Sequence, residues 1–506
     1  MRYAIGVDSG TQGTKALVVE AETGRVLGRG GAPHAMIPGL KPGDNEQDPR
    51  SWVEALETAL VQALREAEVD PKGVAALGVS GQQHGFVPLD ADGAPIRPAK
   101  LWNDTSTVEE TAEIVAALGG QAKLVEKLGI ALAVGFTASK ILWLKKHEPA
   151  NFERLQTVQL PHNYLNFVLT GERHMEYGDA SGTGLMDIRR RAWSEEAIGA
   201  IDSRLGDALP ALRHPREAVG VMRDAWAAKF GFGKVLVASG GGDNMMGAIG
   251  TGNVAPGVCT LSMGTSGTIY SHFADPVSDP RGEIAAFCDS TGGWLPLLCT
   301  MNVTNTTEMV KAMFGFDNAG LEAAAGRAPA GADGLVFLPF LDGERVPVLP
   351  EACASYFGLT RRNFDAAHVA RAAMEGAILN LGYGFGRMRD LGLAPRQIRA
   401  TGGGSKSRLW LQIAADVFKT PVATLAEHEA AAFGAALQAI WNLEAAEGRG
   451  AKIEDLAGRM VALEAPAVDP RPANFAVYDE LQGRFNSLWR TLGAEFAAHR
   501  TLLDSI

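Results

Sequence analysis

The sequence predicts an α/β fold built from two related halves. Short apolar, β-prone runs alternate with helical stretches along the whole chain, which is the α/β pattern. The turn motif G-T-x-G-T occurs twice, as Gly10-Thr11-Gln12-Gly13-Thr14 and as Gly264-Thr265-Ser266-Gly267-Thr268, half a chain apart. The 60 glycines in 506 residues gather in short knots just after apolar runs instead of spreading as low-complexity sequence.

In the first half, residues 3–7 and 16–19 are strand-like on either side of the first Gly/Thr turn, which predicts a hairpin. Residues 52–67 carry Trp52, Ala55, Leu56, Ala59, Leu60 and Ala63 at the helical period, with Asp48-Pro49 as a start signal. Residues 74–80 read as a buried strand running into Gly81-Gln82-Gln83-His84-Gly85, and 138–146 as a helix stopped by Glu148-Pro149. A short strand over 234–238 leads into Ser239-Gly240-Gly241-Gly242-Asp243-Asn244. The small residues of 245–250 suit close helix packing. Gly252, Asn253, Pro256 and Gly257 interrupt the periodicity, so the expected domains are 1–253 and 254–506.

The second half repeats the alternation. Strand-like 258–263 and Ile269-Tyr270 flank the second Gly/Thr turn, and 335–339 is a strand running into Gly343-Glu344-Arg345. A long helix is expected over 366–387. A strand over 397–400 enters Thr401-Gly402-Gly403-Gly404-Ser405-Lys406-Ser407, a helix follows over 409–418, and 430–441 reads as a buried helix.

Composition excludes several classes of function. With 47 Lys plus Arg against 58 Asp plus Glu the net charge is −11, which argues against a nucleic-acid binder held by phosphate contacts. The 46% hydrophobic and 21% charged content is that of a globular chain with room for two to four domains. Cys259, Cys288, Cys299 and Cys353 show no C-x-x-C spacing, which fits a reducing cytoplasm and neither a zinc site nor a disulfide framework. The N-terminus reaches Asp8 after too short an apolar run for a signal peptide, and no run of about 18 apolar residues occurs to span a membrane. There is no P-loop, dinucleotide fingerprint, nucleophile elbow or H-E-x-x-H.

What remains is Gly/Thr turns and glycine runs at strand ends, beside a few carboxylates. Two such turns can offer backbone N–H groups and hydroxyls to a polyphosphate without any cation. In an acidic protein Mg²⁺ would offset the phosphate charge, with Asp8 placed to orient it. The plainer reading of one such turn is a hairpin; the pair, with Asp8 ahead of the first, favours the phosphate reading. Gly402, Gly403, Gly404 and Ser405 lie between a strand and a helix, where backbone can approach an anion, or where the loop is simply flexible. Asp243, after three glycines, is a general-base candidate or a helix cap. His84 can bind a hydroxyl or bond within its loop, and Trp102-Asn103-Asp104 suits a sugar or an ordinary turn.

Taken together, these residues resemble the FGGY family of carbohydrate kinases, most closely its xylulose kinases. The resemblance is carried by Gly6-Val7-Asp8-Ser9-Gly10-Thr11, Gly81-Gln82-Gln83-His84-Gly85, Leu101-Trp102-Asn103-Asp104 and the segment Gly135-Phe136-Thr137-Ala138-Ser139-Lys140-Ile141-Leu142-Trp143. It continues through Leu160-Pro161-His162-Asn163-Tyr164-Leu165, Gly240-Gly241-Gly242-Asp243-Asn244, Ser262-Met263-Gly264-Thr265-Ser266-Gly267, Phe337-Leu338-Pro339, Gly343-Glu344-Arg345-Val346-Pro347 and Gly402-Gly403-Gly404, in family order.

The resemblance implies two ribonuclease-H-like domains of the actin and hexokinase type flanking a cleft, with the sugar on the first and ATP mainly on the second. It implies Asp243 as the base that accepts the proton of a ketopentose hydroxyl, D-xylulose by preference, and Asp8 as the carboxylate for Mg²⁺ and phosphate. The sugar would meet Gln83, His84, Trp102, Asn103, Asp104 and Asn244, and the nucleotide Thr11, Gln12, Thr14, Gly264, Thr265 and the run from Gly402 to Ser405. Partners would be the sugar and ATP, with no nucleic acid or membrane, and a homodimer is compatible with this reading. Two departures stand out: Gln83 replaces a methionine usual in enteric xylulose kinases, and Ser355-Tyr356-Phe357-Gly358-Leu359 lacks the Arg-Gly that often opens its stretch. Ribulose, ribitol and glycerol are alternative substrates on the same machinery. An actin-like ATPase without a sugar, or an inactive sugar sensor, would not call for both Asp8 and Asp243.

Overall fold

The computed structural model describes residues 1–464 and 466–505. Each Gly/Thr turn closes an antiparallel hairpin. In the first, strand β1 (Tyr3–Ser9) pairs with β2 (Gly13–Glu20), so that Ser9 faces Thr14 and Asp8 faces Lys15. Gly10 N–H donates to the Gly13 carbonyl across the turn at 3.1 Å. Together with β3 (Val26–Pro33), β4 (Val74–Gly81), β5 (Gly220–Val221) and β6 (Leu236–Val237), they form a sheet in the order β5-β6-β4-β1-β2-β3, and β7 (Gly241–Gly242) adds to β4. Strands β1 and β4 run parallel with Asp8 beside Ser80, so one sheet end gathers the carboxylate and the 81–85 turn.

Successive strand residues face opposite sides of the sheet, and the two sides are covered differently. Ile5 and Val7 join Trp52, Leu56, Ala59, Leu60 and Ala63 in one core. Those residues belong to the helix Pro49–Ala67, whose cap Asp48 accepts from Arg50 N–H and whose first residue is proline, as the sequence indicates. Gly6 and Gly78 lie against the helix Ala430–Ala446: a Cβ on Gly6 would sit 1.9 Å from the Ala432 carbonyl oxygen, and one on Gly78 2.2 Å from that of Ala435. The expected buried helix thus belongs to the sheet at the start of the chain. The first compact unit is Met1–Ala255, His272–Pro296 and Glu429–Ala462, so it does not follow the contiguous division at 253. The reason is backbone-to-backbone packing that only glycine and alanine allow.

The second unit is Pro256–Ser271, Leu297–His428 and Leu463–Ile506. Its hairpin joins β8 (Val258–Met263) and β9 (Gly267–Ser271), with Met263 facing Gly267. Strand β10 (Trp294–Thr300) continues antiparallel on β9, while β11 (Gln397–Thr401) lies parallel to β8 and β12 (Val422–Thr424) parallel to β11. Each unit therefore carries the same local pattern: a Gly/Thr hairpin whose first strand is parallel to a strand ending in a glycine turn. The long helix spans Ala366–Asp390, capped by Asp365, and Ser407 caps the helix Arg408–Phe418. Two expected strands are shorter than read, Leu236–Val237 and Val336–Leu338, and the glycine run after β11 is a tight 3₁₀ turn, Gly403–Lys406, in place of a loose loop.

Candidate active site

In the first unit, Asp243 opens the helix Asp243–Gly250 as its first residue; the cap position itself is Gly242, which has no side chain. The Asp243 Oδ1 accepts from Asn244 N–H at 2.8 Å and from Asn244 Nδ2 at 3.0 Å. The same Asn244 amide donates to Gln83 Oε1 at 2.8 Å. One carboxylate oxygen is thereby fixed, and Asp243 stays half-buried, in reach of solvent. Burial, followed by the nearby Asp8, pushes the Asp243 carboxyl up to about 7, against both Asn244 bonds. Asp8 Oδ1 accepts from Ser80 Oγ at 2.8 Å; burial raises this carboxyl too, while Ser80 and Lys15 oppose the shift.

The glycine run before Asp243 serves a tighter purpose than leaving a hydroxyl room to approach. A Cβ would lie 2.4 Å from the Val79 carbonyl oxygen at Gly240, 2.5 Å from Ser290 Oγ at Gly241 and 2.6 Å from Gln83 Cγ at Gly242. The loop is packed against backbone or side chains at every glycine, and this holds Asp243 in place. His162 is fully buried; its Nε2 accepts from Asn163 Nδ2, leaving Nδ1 to donate to Asp179 at 2.9 Å.

Gln83 is 5% exposed, and its buried Nε2 has no hydrogen-bond partner among the described residues, so its donor capacity is unspent within the fold. His84 follows with φ of 61°, and its ring packs in a three-ring cluster with Phe136 and Phe287, at 4.7 and 5.4 Å between centroids, the two phenylalanines being 5.9 Å apart. Trp102 Nε1 donates to Thr11 Oγ1 at 3.0 Å, and Thr11 Oγ1 donates to Gln82 Oε1 at 3.3 Å, so the first turn is tied to the Trp102 segment. Asn103 Oδ1 is a second buried polar atom without a partner among the described residues.

Two expected ligand groups are committed to the fold. Asp104 is fully buried, with one oxygen held by Asn45 N–H and Lys100 and the other by Ser106 N–H and Oγ. Thr14 is also buried, and its hydroxyl pairs with that of Ser9 at 3.0 Å, because strand pairing turns it inward. Gln12 is exposed at the turn.

The second unit brings its own expected residues together. A Cβ on Gly402, where φ is 82°, would lie 2.6 Å from the Met263 carbonyl oxygen, and one on Gly404 2.8 Å from Met263 Cβ. The glycine turn therefore abuts the end of β8, next to Gly264 and Thr265. Thr265 is exposed, Gly403 faces open space, and Ser405 Oγ donates to the Gly402 carbonyl at 2.7 Å.

Family models described as the N-terminal and C-terminal domains of the FGGY family of carbohydrate kinases match residues 3–250 and 260–443. The chain belongs to the FGGY family of carbohydrate kinases. A xylulose kinase of Haemophilus influenzae is 45% identical over 444 residues, 86% of this chain and 90% of that one. Among solved structures, a xylulose kinase of Rhodospirillum rubrum superposes with a TM-score of 0.88 at 28% identity, covering 98% of this chain and all of the other. The glycerol kinase of Plasmodium falciparum, 19% identical with a TM-score of 0.87 over 97% of this chain and 98% of its own, shares the fold. This FGGY kinase thus has the two-domain fold of the actin and hexokinase type that its motifs imply.

Several polar residues of the FGGY kinase escape a reading of the sequence. Lys100 Nζ lies 3.1 Å from each of Asp44, Glu46 and Asp104, so the one acidic cluster among the described residues with metal-ligand spacing is filled by an ammonium. The His162–Asp179 pair is equally hidden, and the burial of Lys140 is only faintly signalled. Mg²⁺ takes one or two carboxylates beside phosphate oxygens and water; among the described residues, the side-chain bond to Asp8 is that from Ser80, so its chemistry is compatible with such a role.

Proposed function

We propose that this kinase transfers the γ-phosphoryl group of ATP to the primary hydroxyl of D-xylulose, giving D-xylulose 5-phosphate. The observation that carries the reading is the Gln83–Asn244–Asp243 chain of hydrogen bonds, which fixes one Asp243 oxygen and leaves the other for a hydroxyl proton. As the hydroxyl oxygen bonds to phosphorus, its proton passes to Asp243 Oδ2 and the bridging P–O bond breaks to release ADP. Gln83, Asn244 and His84 hold the sugar, with Trp102 and Asn103 beside them. On the second unit, Gly264, Thr265 and the turn from Gly402 to Ser405 take the nucleotide by backbone approach. Magnesium, brought in with ATP, supplies charge neutralisation on the phosphates, and Asp8 is the residue that would hold it.

The similarity to xylulose kinases favours this sugar over other ketoses. The four thiols are free and no helix among the described residues is long and apolar enough to cross a membrane, which agrees with work in the cytoplasm. A coupled ADP-release assay across D-xylulose, ribulose, ribitol and glycerol tests the reading. D-xylulose should give the highest kcat/KM. Another acceptor winning by tenfold, about 1.4 kcal/mol, would move the substrate. ATP turnover at full rate without any sugar would favour an ATPase.

A further inference from the structure

Lys140, in the helix Thr137–His147, is 0% exposed. Among the described residues its Nζ makes no ion pair; it donates to two backbone carbonyls, that of His84 at 2.8 Å and that of Gly135. Burying an ammonium away from a carboxylate is costly, and here burial drives it down to about 7, with Asp104 and Asp179 at longer range favouring the charge and Lys100 opposing it. A methionine would fill the same space without that cost, so packing alone gives no reason for a lysine.

The two carbonyls do give one. His84 is a non-glycine residue in the left-handed region, which its side chain disfavours. Its ring packs beside Phe136 and Phe287 and against Gly182, where a Cβ would come within 2.1 Å of His84 Cε1. Thr137 Oγ1 donates to the same His84 carbonyl at 3.2 Å. Gly135, at φ of 96°, leaves room for the Trp102 carbonyl 2.3 Å from where a Cβ would be. Lys140 therefore ties the His84 turn to the segment that packs on Trp102.

We propose that Lys140 is a positioning residue of the sugar site: through the His84 carbonyl it holds His84 in its left-handed conformation, and it does not touch the sugar. The role rests on the reading above in which His84 contacts the sugar. Its zero exposure bars Lys140 from direct contact.

The test compares Lys140→Met, His84→Ala and the double variant by steady-state kinetics with D-xylulose and ATP. Loss of a charge-assisted bond should raise the D-xylulose KM of Lys140→Met about tenfold, with the ATP KM within about twofold. Its thermal midpoint should match or exceed that of the wild type. Because Lys140 acts through His84, adding Lys140→Met to His84→Ala should raise KM by less than about twofold more. Thr137→Val, which removes only the second donor, should shift the sugar KM in the same direction, and it carries the test if Lys140→Met does not fold. An unchanged sugar KM, an equal rise for both substrates, or multiplicative effects in the double variant would overturn the proposal. A wild type that phosphorylates no sugar would refute the kinase reading separately. The clamp would then be read from the His84 ring resonances by NMR: they move in Lys140→Met if Lys140 holds His84, and an unmoved spectrum overturns it.

Discussion

Replacing Asp243 by Asn isolates the step on which the proposed chemistry depends. The substitution keeps an oxygen where Oδ1 now accepts from Asn244 N–H and Nδ2, so the helix start and the Gln83 contact should persist. It puts an NH₂ in place of Oδ2 and removes the proton acceptor. A positioned base contributes roughly 10²–10⁴-fold, and kcat should fall by about that factor while calorimetry still shows sugar and ATP binding. The carboxyl titrates near 7 because burial and Asp8 both disfavour its charge. Wild-type kcat/KM should then rise about tenfold per pH unit below that value and level off above it. Stability should run the other way. A carboxyl whose pKa is raised on folding favours the folded state at low pH, and that contribution is lost as pH climbs from about 4 to about 7. Asp243→Asn should therefore exceed the wild type in thermal midpoint by more at pH 8 than at pH 5. A folded variant that binds both ligands and keeps over half the wild-type kcat would refute the base assignment, and so would a flat wild-type profile between pH 6 and 8.

On the second unit, Gly403→Val should be tolerated by the fold, because a Cβ there meets nothing within 4 Å. It should weaken ATP binding while sugar binding measured by calorimetry is unchanged. Gly434→Ala should destabilise the first unit by about 1–3 kcal/mol in urea unfolding, since its Cβ would lie 1.8 Å from the Met246 carbonyl oxygen; activity should fall with it, as Met246 belongs to the helix that Asp243 opens.

Features set by neighbours in sequence were legible from the chain alone. Both hairpins follow from a Gly/Thr turn between β-prone runs, and Asp48-Pro49 marks its helix start to the residue. Features set by distant packing were not. The helix Ala430–Ala446 reads correctly as buried, but nothing local says that Gly6 and Gly78 receive it. Thr14 and Asp104 carry the right chemistry beside the right motifs, yet strand pairing and Lys100 claim them for the fold. Lys140 left a faint signal: it shares the buried stripe of its helix with Thr137, Ile141 and Leu144, at the spacing where a lysine is out of place.

That misplaced lysine fits a wider arrangement of charge in the first unit. A cation close to Asp243 would stabilise its carboxylate, lower its pKa and make it a poorer base at neutral pH. Three lysines of the first unit are each engaged elsewhere: Lys15 pairs with Glu429 at 2.6 Å, Lys100 fills the cage of Asp44, Glu46 and Asp104, and Lys140 is turned to backbone carbonyls. Among the protein's own groups the chief influences on Asp243 are burial, two other carboxylates and the neutral Asn244, with no side-chain cation among them. Neutral amides at Gln83 and Asn244 are then the appropriate groups to face a sugar here. They can orient hydroxyls and hold Asp243 without adding the positive charge that would weaken it as a base.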